Sequence, residues 1–454
     1  MPSAPRPQRP DGNSTKPSRD LLVCEIQGVI ELMFNKLNKI YHEFPMKFWV
    51  VVLASFIDGI GGTLLFPFFS LYITQKFGIG MTQAGIILGM FSAFGLIGST
   101  LGGALTDKFG RRRLILFGLV FSALSTLSLG LANTLAVLYP LVVVIGLLSN
   151  IAGPAHNAMV ADILPERQRS EGFGILRVVG NLAWIIGPTV GGLVAARSFF
   201  MLFVIDSVLS CIVAVIFYKL IPETKPETSP EKKQESIWQT VGGYRHVLRD
   251  LAFMAFLVAS MLMLIVYQQM YNSLPVYLRD IHGFTTQAYG FLLTSSAIIV
   301  VLFQFWVTRI IKRRPAFLMM ALGTVFYVVG FSMFGFVSAY ALFILAAVVI
   351  TIGEMIVVPT SQALAANFAP VDMRGRYMAV FGLSWAIPST IGPGLAGLIL
   401  DNFNPNLLWY VGGALCLVSA LGYYALHLRL GRQKRFEATT EELPAEVAIS
   451  VMPQ

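Results

Sequence analysis

Apolar residues run through this chain in long blocks rather than in alternating patterns or one-sided stripes. Twelve blocks, near 47–74, 82–104, 114–134, 137–161, 171–195, 199–220, 251–279, 286–309, 315–336, 339–365, 376–400 and 407–428, are separated by polar connections. Each approaches or exceeds the roughly 20 residues that a helix rising 1.5 Å per residue needs to cross a hydrocarbon core about 30 Å thick. The blocks are apolar on most faces and rich in Gly and Ala, whereas barrel strands are short and alternate in polarity. Backbone polar groups in lipid must be satisfied within their own segment, so the pattern predicts twelve transmembrane helices. The expected fold class is an all-α membrane protein.

Composition agrees. Hydrophobic residues make up 56% of the 454 and charged residues only 13%, about half the charge of soluble domains. The net charge of +9 does not point to nucleic acid, because its distribution follows the blocks. Lys108, Arg111, Arg112, Arg113, Arg167, Arg169, Arg309, Lys312, Arg313, Arg314, Arg374 and Arg376 all fall at alternate helix ends. The other connections carry mainly Lys76, Arg197 and Arg279. The positive-inside rule then puts both termini and the central linker in the cytoplasm of a multi-pass protein, expected in a prokaryotic plasma (inner) membrane. Cys24, Cys211, Cys416 and five His are too scattered for a disulfide framework or a metal site. No Walker A spacing is present, and no cofactor is expected.

The organisation is read as a cytoplasmic extension over 1–43, with an amphipathic segment in 21–42, a six-helix bundle over 44–220, a linker over 221–250, a second bundle over 251–430 and a tail over 431–454. In the linker, Pro222 to Glu235 is polar and reads as flexible, while Ser236 to Asp250 has helical spacing through Ile237, Val241, Tyr244 and Leu248. A constant offset of 205 residues pairs Pro154 with Pro359, Pro165 with Pro370, Arg169 with Arg374, Gly187-Pro188 with Gly392-Pro393 and Gly192 with Gly397. Several matches at one offset indicate duplicated halves. Duplicated halves place a substrate path on the pseudo-twofold axis between them, opened alternately to each side as one half rocks on the other.

Between spans two and three stands Gly103-Ala-Leu-Thr-Asp107-Lys108-Phe-Gly110-Arg111-Arg112-Arg113, with a worn copy at Arg309–Arg314. An acid at a helix end beside arginines can lock one conformation through charge pairs that break when the halves move. Gly103, Asp107, Lys108, Gly110, Arg111, Arg112, Asp162, Arg309 and Arg313 are therefore the gating candidates. This loop resembles that of the major facilitator superfamily, of form G-x-x-x-D-R/K-x-G-R-R/K, and the likeness covers roughly residues 44–430. Gly174-x12-Gly187-Pro188-Thr-Val-Gly191-Gly192 in span five is similar to the Gly-Pro signature of the drug:proton antiporter branch. Its twin contains Gly392 and Pro393. Span four lacks the arginine that many such exporters carry. The resemblance implies a fold of two pseudo-symmetric six-helix bundles, with proton as coupling ion. Physically, Pro188 removes a helix donor and can bend its span, and the small residues permit close packing.

Intramembrane acids mark function or a buried partner. Asp58 lies eleven residues after Lys47, about 16 Å into span one. Glu354 occupies the apolar run of span ten. With His156, these are the proton-coupling candidates; a static hydrogen-bonded role is the alternative for each. Asp206 in span six is ranked below Asp58. Asn157, Arg177, Trp184, Gln269, Tyr271, Asn272 and Trp385 are the candidates for lining a substrate cavity. Arg177 either reaches the membrane surface or pairs with Asp58, Asp162 or His156.

The expected function is secondary active transport, not enzymatic catalysis. The first expectation is proton-coupled efflux of a lipophilic or amphipathic small molecule by a monomer in the lipid bilayer. The alternatives are transport of a defined metabolite (a sugar, amino-acid derivative or peptide) and lipid or glycolipid flipping.

Overall fold

The computed structural model describes residues 41–224, 244–370, 373–431 and 433, without the side chains of residues 103, 104, 107 and 170. The amphipathic segment expected over 21–42 lies outside the described residues except for its last two, as does most of the linker and tail. Among the described residues, twelve helices are long and apolar enough to cross a membrane, and there is no strand. They are α1 (Met46–Phe77), α2 (Met81–Phe109), α3 (Arg111–Leu131), α4 (Leu135–Ile163), α5 (Glu166–Ala195), α6 (Phe199–Leu220), α7 (Leu251–Asn272), α8 (Thr286–Ile311), α9 (Ala316–Phe336), α10 (Tyr340–Phe368), α11 (Arg374–Asn402) and α12 (Leu407–Leu430). All twelve expected blocks are helical.

Three of these helices are interrupted. In α1, a 3-10 turn over Phe66–Phe68 separates Met46–Leu65 from Phe69–Phe77. Its Pro67 cannot donate a backbone hydrogen bond. In α4, the break falls at Asn150 and Ile151, just before Gly153-Pro154. In α7, it falls at Gln268, and a further helix, Leu274–His282, follows Ser273.

The first six helices form one bundle and the last six another. They meet mainly through two crossings, α2 with α11 and α5 with α8. The 205-residue repeat turns one crossing into the other, and its glycines show how. A Cβ on Gly85 in α2 would collide with the Pro393 carbonyl of α11, and one on Gly290 in α8 would press on the Pro188 carbonyl of α5. Gly85 and Gly290 differ by 205, as do Pro188 and Pro393. Gly192 packs on the Gly290 and Thr286 backbone and Gly397 on the Met81 backbone; Gly192 and Gly397 differ by 205, as do Met81 and Thr286. The carbonyls of Pro188 and Pro393 thus lie where backbones of the two halves touch, which the glycines facing them allow by having no side-chain bulk.

The crossings lie toward the end remote from the basic loops. There the largest apolar cluster joins both halves, with Phe68, Met81 and Ile87 from one and Met270, Tyr289 and Leu292 from the other. At the basic end, the cluster around Phe48, Met159 and Phe217 contains residues of the first half alone. A Cβ on Gly174, Gly180, Gly375 or Gly382 would meet nothing within 4 Å among the described residues. The halves are closed on each other at the remote end and part toward the basic end.

Gly85→Val and Gly290→Val should destabilise the protein to a similar degree, by about 1–3 kcal/mol each, as overpacked backbone approaches do. Thermal unfolding in detergent checks this, and the reciprocal geometry requires both variants to respond.

Candidate functional site

The space between the halves is a cavity of about 410 Å³. Phe66 of α1 and Asn181, Trp184, Ile185 and Pro188 of α5 form one wall. Tyr267, Gln268 and Tyr271 at the α7 break, Ser296 of α8, Glu354 of α10 and Trp385 of α11 form the other. The rings make a connected box. Trp184 and Tyr271 have centroids 5.3 Å apart, Phe66 lies 6.1 Å from Trp184, and Tyr267 lies 6.3 Å from Trp385. Glu354 shares this cavity with the Tyr267 hydroxyl, which lies 3.2 Å from the Tyr271 hydroxyl. The Ser296 hydroxyl, buried in this wall, has no hydrogen-bond partner among the described residues. One carboxyl group, several hydroxyls and two amides therefore face a space lined otherwise by aromatic and aliphatic side chains.

A second cavity of about 360 Å³ adjoins the first through Phe66 and Gln268. It carries Asp58 of α1 and Asp206 of α6, with Ser92, Ser122, Ser125, Thr126 and Ser149 around them. Asp58 opens onto this space, whereas Asp206 is buried. Gly61 allows Asp206 to lie against α1, because a Cβ there would meet its carboxylate. A third cavity of about 400 Å³ shares Asp58, Ser122 and Ser149 with the second, and contains His156 and Asn157. The His156 ring nitrogen Nε2 lies 2.9 Å from the Ser55 hydroxyl. Asp58 and Glu354 thus line adjoining cavities, Asp58 from the first half and Glu354 from the second.

Trp184, Tyr271 and Trp385 line the central cavity, and Asn272 lines the second. Asn157 lies in the third. Arg177 crosses the gap to donate to Gln362 of α10 at 3.2 Å, a partner outside the three acceptors considered from sequence. Gln269 lies elsewhere. It is 3% exposed, donates to the Ile265 carbonyl, accepts from Ser273 and borders a separate apolar pocket with Gly392 and Trp409. Its neighbour Gln268 faces both main cavities and donates to Ser389 at 2.6 Å. One residue turns a helical side chain by about 100°, and the break at Gln268 shifts the phase of the helix, so spacing alone does not show which glutamine borders the main cavities. Sequence reading also passed over Phe66, Asn181 and Ser296; the Phe66-Pro67 helix breaker was the available signal for the first.

The basic loop is a compact structure. Gly110 has φ +90°, a conformation that residues with a Cβ rarely adopt. Glu223, just after α6, accepts from the Arg111 backbone N–H at 2.9 Å and that of Arg112 at 3.4 Å, so it caps the start of α3. The Arg111 guanidinium pairs with Asp162 at 3.0 Å, and Arg112 donates to the Tyr218 carbonyl at 2.5 Å. Lys108 lies over the Phe109 ring. These bonds join α3, α4 and α6 within one half. Gly103 and Asp107 are in the last turns of α2, and Arg309 and Arg313 are at the end of α8 and just beyond it. Among the described residues, no group of three or more His, Cys, Asp or Glu could hold a metal ion.

The family model described as Major Facilitator Superfamily matches residues 51–393 and, in a second match, 319–451. The chain belongs to the Major Facilitator Superfamily. It is a membrane-embedded secondary transporter, not an enzyme. It is 26% identical over 371 residues to a "Na(+), Li(+), K(+)/H(+) antiporter" of Planococcus maritimus, covering 76% of this chain and 87% of that one. It is 23% identical to the "Quinolone resistance protein NorA" of Staphylococcus aureus, covering 78% and 90%. Among solved structures, a POT family transporter crystallised with a thioalcohol-conjugated peptide superposes with TM-score 0.72 at 18% identity, covering 85% of this chain and 96% of that one. This last likeness is one of fold.

The two glutamines separate by experiment. Gln268→Ala should weaken solute binding about tenfold with little change in melting temperature. Gln269→Ala should leave binding unchanged but cost about 1–3 kcal/mol of stability, because buried Ser273 loses its acceptor. Binding and thermal unfolding of both purified variants check the pair.

Proposed function

We propose that this chain couples proton movement to the transport of a defined small organic solute that bears an amine or another strong hydrogen-bond donor. The observation that carries this reading is the placement of Glu354 with Tyr267, Tyr271 and Trp385 in the cavity between the halves. A carboxylate is an acceptor for ammonium and hydroxyl groups, and aromatic faces attract a cation at close range. Asn181, Gln268 and Ser296 add directional polar contacts, which favour a solute of fixed shape over an indiscriminate lipophile. Peptide transporters of this fold are compatible with that preference, although the likeness bears on architecture. Efflux of an amphipathic molecule is the second reading. Supporting it are the breadth of the aromatic wall and the likeness to an antiporter and a quinolone resistance protein.

Asp58, open to the second cavity, is the proton carrier in this reading. His156 is a relay toward the basic end, reached through the third cavity. Solute and proton then occupy adjoining chambers that share Phe66 and Gln268. Movement of either side chain would couple them. With the basic end in the cytoplasm, as the charge asymmetry supports, the conformation described is inward-facing.

Transport in proteoliposomes with an imposed pH gradient tests the proposal, using a panel of amino-acid derivatives, short peptides, sugars and lipophilic cations. One solute class should move in a gradient-dependent manner. Glu354→Gln should lower its transport at least about tenfold through weaker binding. Asp58→Asn should retain binding but uncouple transport from the gradient. Unchanged transport after collapse of the gradient, with both variants fully active, would reject the proposal.

A further inference from the structure

At the closed end, the C-terminal turn of α11 reaches the first residues of α2 across the boundary between the halves. The Met81 backbone N–H donates to Asp401 Oδ1 at 2.9 Å, and the Thr82 N–H donates to Oδ2 at 2.7 Å. Three features set this contact apart from ordinary packing. First, α2 has no side-chain cap of its own, because its N-cap residue is Gly80, which leaves its leading N–H groups in need of an acceptor. Second, a Cβ on Gly80 would collide with the Asp401 carboxylate, so the missing side chain leaves room for the borrowed cap. Third, Asp401 stands one residue before the end of α11, where a negative charge is unfavourable for its own helix and favourable only for the start of another.

We propose that Asp401 is a latch for the closed state at this end, capping α2 across the halves and releasing it whenever they part there. The bonds are charge-assisted and join helices that belong to different halves. Both are lost together when α11 swings away from α2, and only water replaces them. The latch therefore biases the alternation itself without contacting solute. Gly397, packed on the Met81 backbone, sets the close approach that the carboxylate needs. Arg279 adds a weaker cross-half bond at the same end, to the Thr74 hydroxyl at 3.1 Å.

Because this inference rests on the Asp401 contact and not on the identity of the solute or ion, its test requires neither. Spin labels are placed on Asn133→Cys and Asn404→Cys at the closed end. A second pair, Arg113→Cys and Arg314→Cys, reports on the basic end. Both pairs are introduced into the full chain in a cysteine-free background, reconstituted in lipid nanodiscs, and their distance distributions are measured. Asp401→Ala should raise the ratio of long to short distances at the closed end about tenfold, with a reciprocal shortening at the basic end. Asp401→Asn, which keeps one acceptor, should give a smaller shift in the same direction. Gly80→Ser supplies α2 with its own cap and displaces the carboxylate, so it should reproduce the Asp401→Ala shift, and it decides the question if Asp401→Ala does not fold. A folded Asp401→Ala or Gly80→Ser protein with unchanged distributions at both ends would overturn the latch. Broadening at both ends without the reciprocal change would overturn it as well.

Discussion

Direct backbone contact at two glycine–proline crossings holds the two halves of this protein together, and the rest of the architecture depends on it. In lipid, helices gain little from burying apolar side chains against one another, because the hydrocarbon around them is equally apolar. Association relies on close approach, and Gly85 against Pro393 and Gly290 against Pro188 supply it twice. These contacts lie toward one end of the molecule. The other end is free to separate, and the cavities occupy the space that separation leaves.

The break in α7 and the 3-10 turn in α1 serve the site in the same way. Each interrupts a helix where the bundle must present side chains to an internal space and not to lipid. Gln268 and Phe66 stand at these breaks, and both border the two main cavities. Irregular backbone at membrane depth is tolerated only where protein or a water-filled cavity surrounds it. The positions of the breaks therefore coincide with the chambers. Polar groups are divided between the chambers as well. The hydroxyl-rich lining around Asp58 and Asp206 belongs to the first half, and Glu354 with its tyrosines belongs to the second.

Much of this was legible beforehand, for definite reasons. A block of apolar residues long enough to cross a bilayer has few alternatives to a helix, so the twelve spans followed from length and polarity. The duplication was visible because proline and glycine at a contact between backbones cannot drift freely without disturbing it. Asp58 and Glu354 stood out because ionisable groups at that depth are costly. The amphipathic segment over 21–42 concerns residues beyond those described, apart from its last two. Asp206, ranked below Asp58, borders the same cavity. A single acid in an apolar run looks the same whether it faces Thr126 and a cavity or a packed interior, and nothing local distinguishes the two.

What the sequence alone determined is the set of helices, their count, the twofold repeat and the chemical types available for a site, since each depends on local polarity or on an offset along the chain. What only the tertiary structure decided is which groups meet. Selection of Gln268 over Gln269, the pairing of Arg111 with Asp162, the Glu223 cap on α3 and the reach of Asp401 to α2 all join residues through helix phase and the docking of distant segments. Asp401 and Met81 are 320 positions apart in sequence. Their contact exists because two antiparallel helices from different halves end at the same depth, a fact of packing that no local pattern encodes.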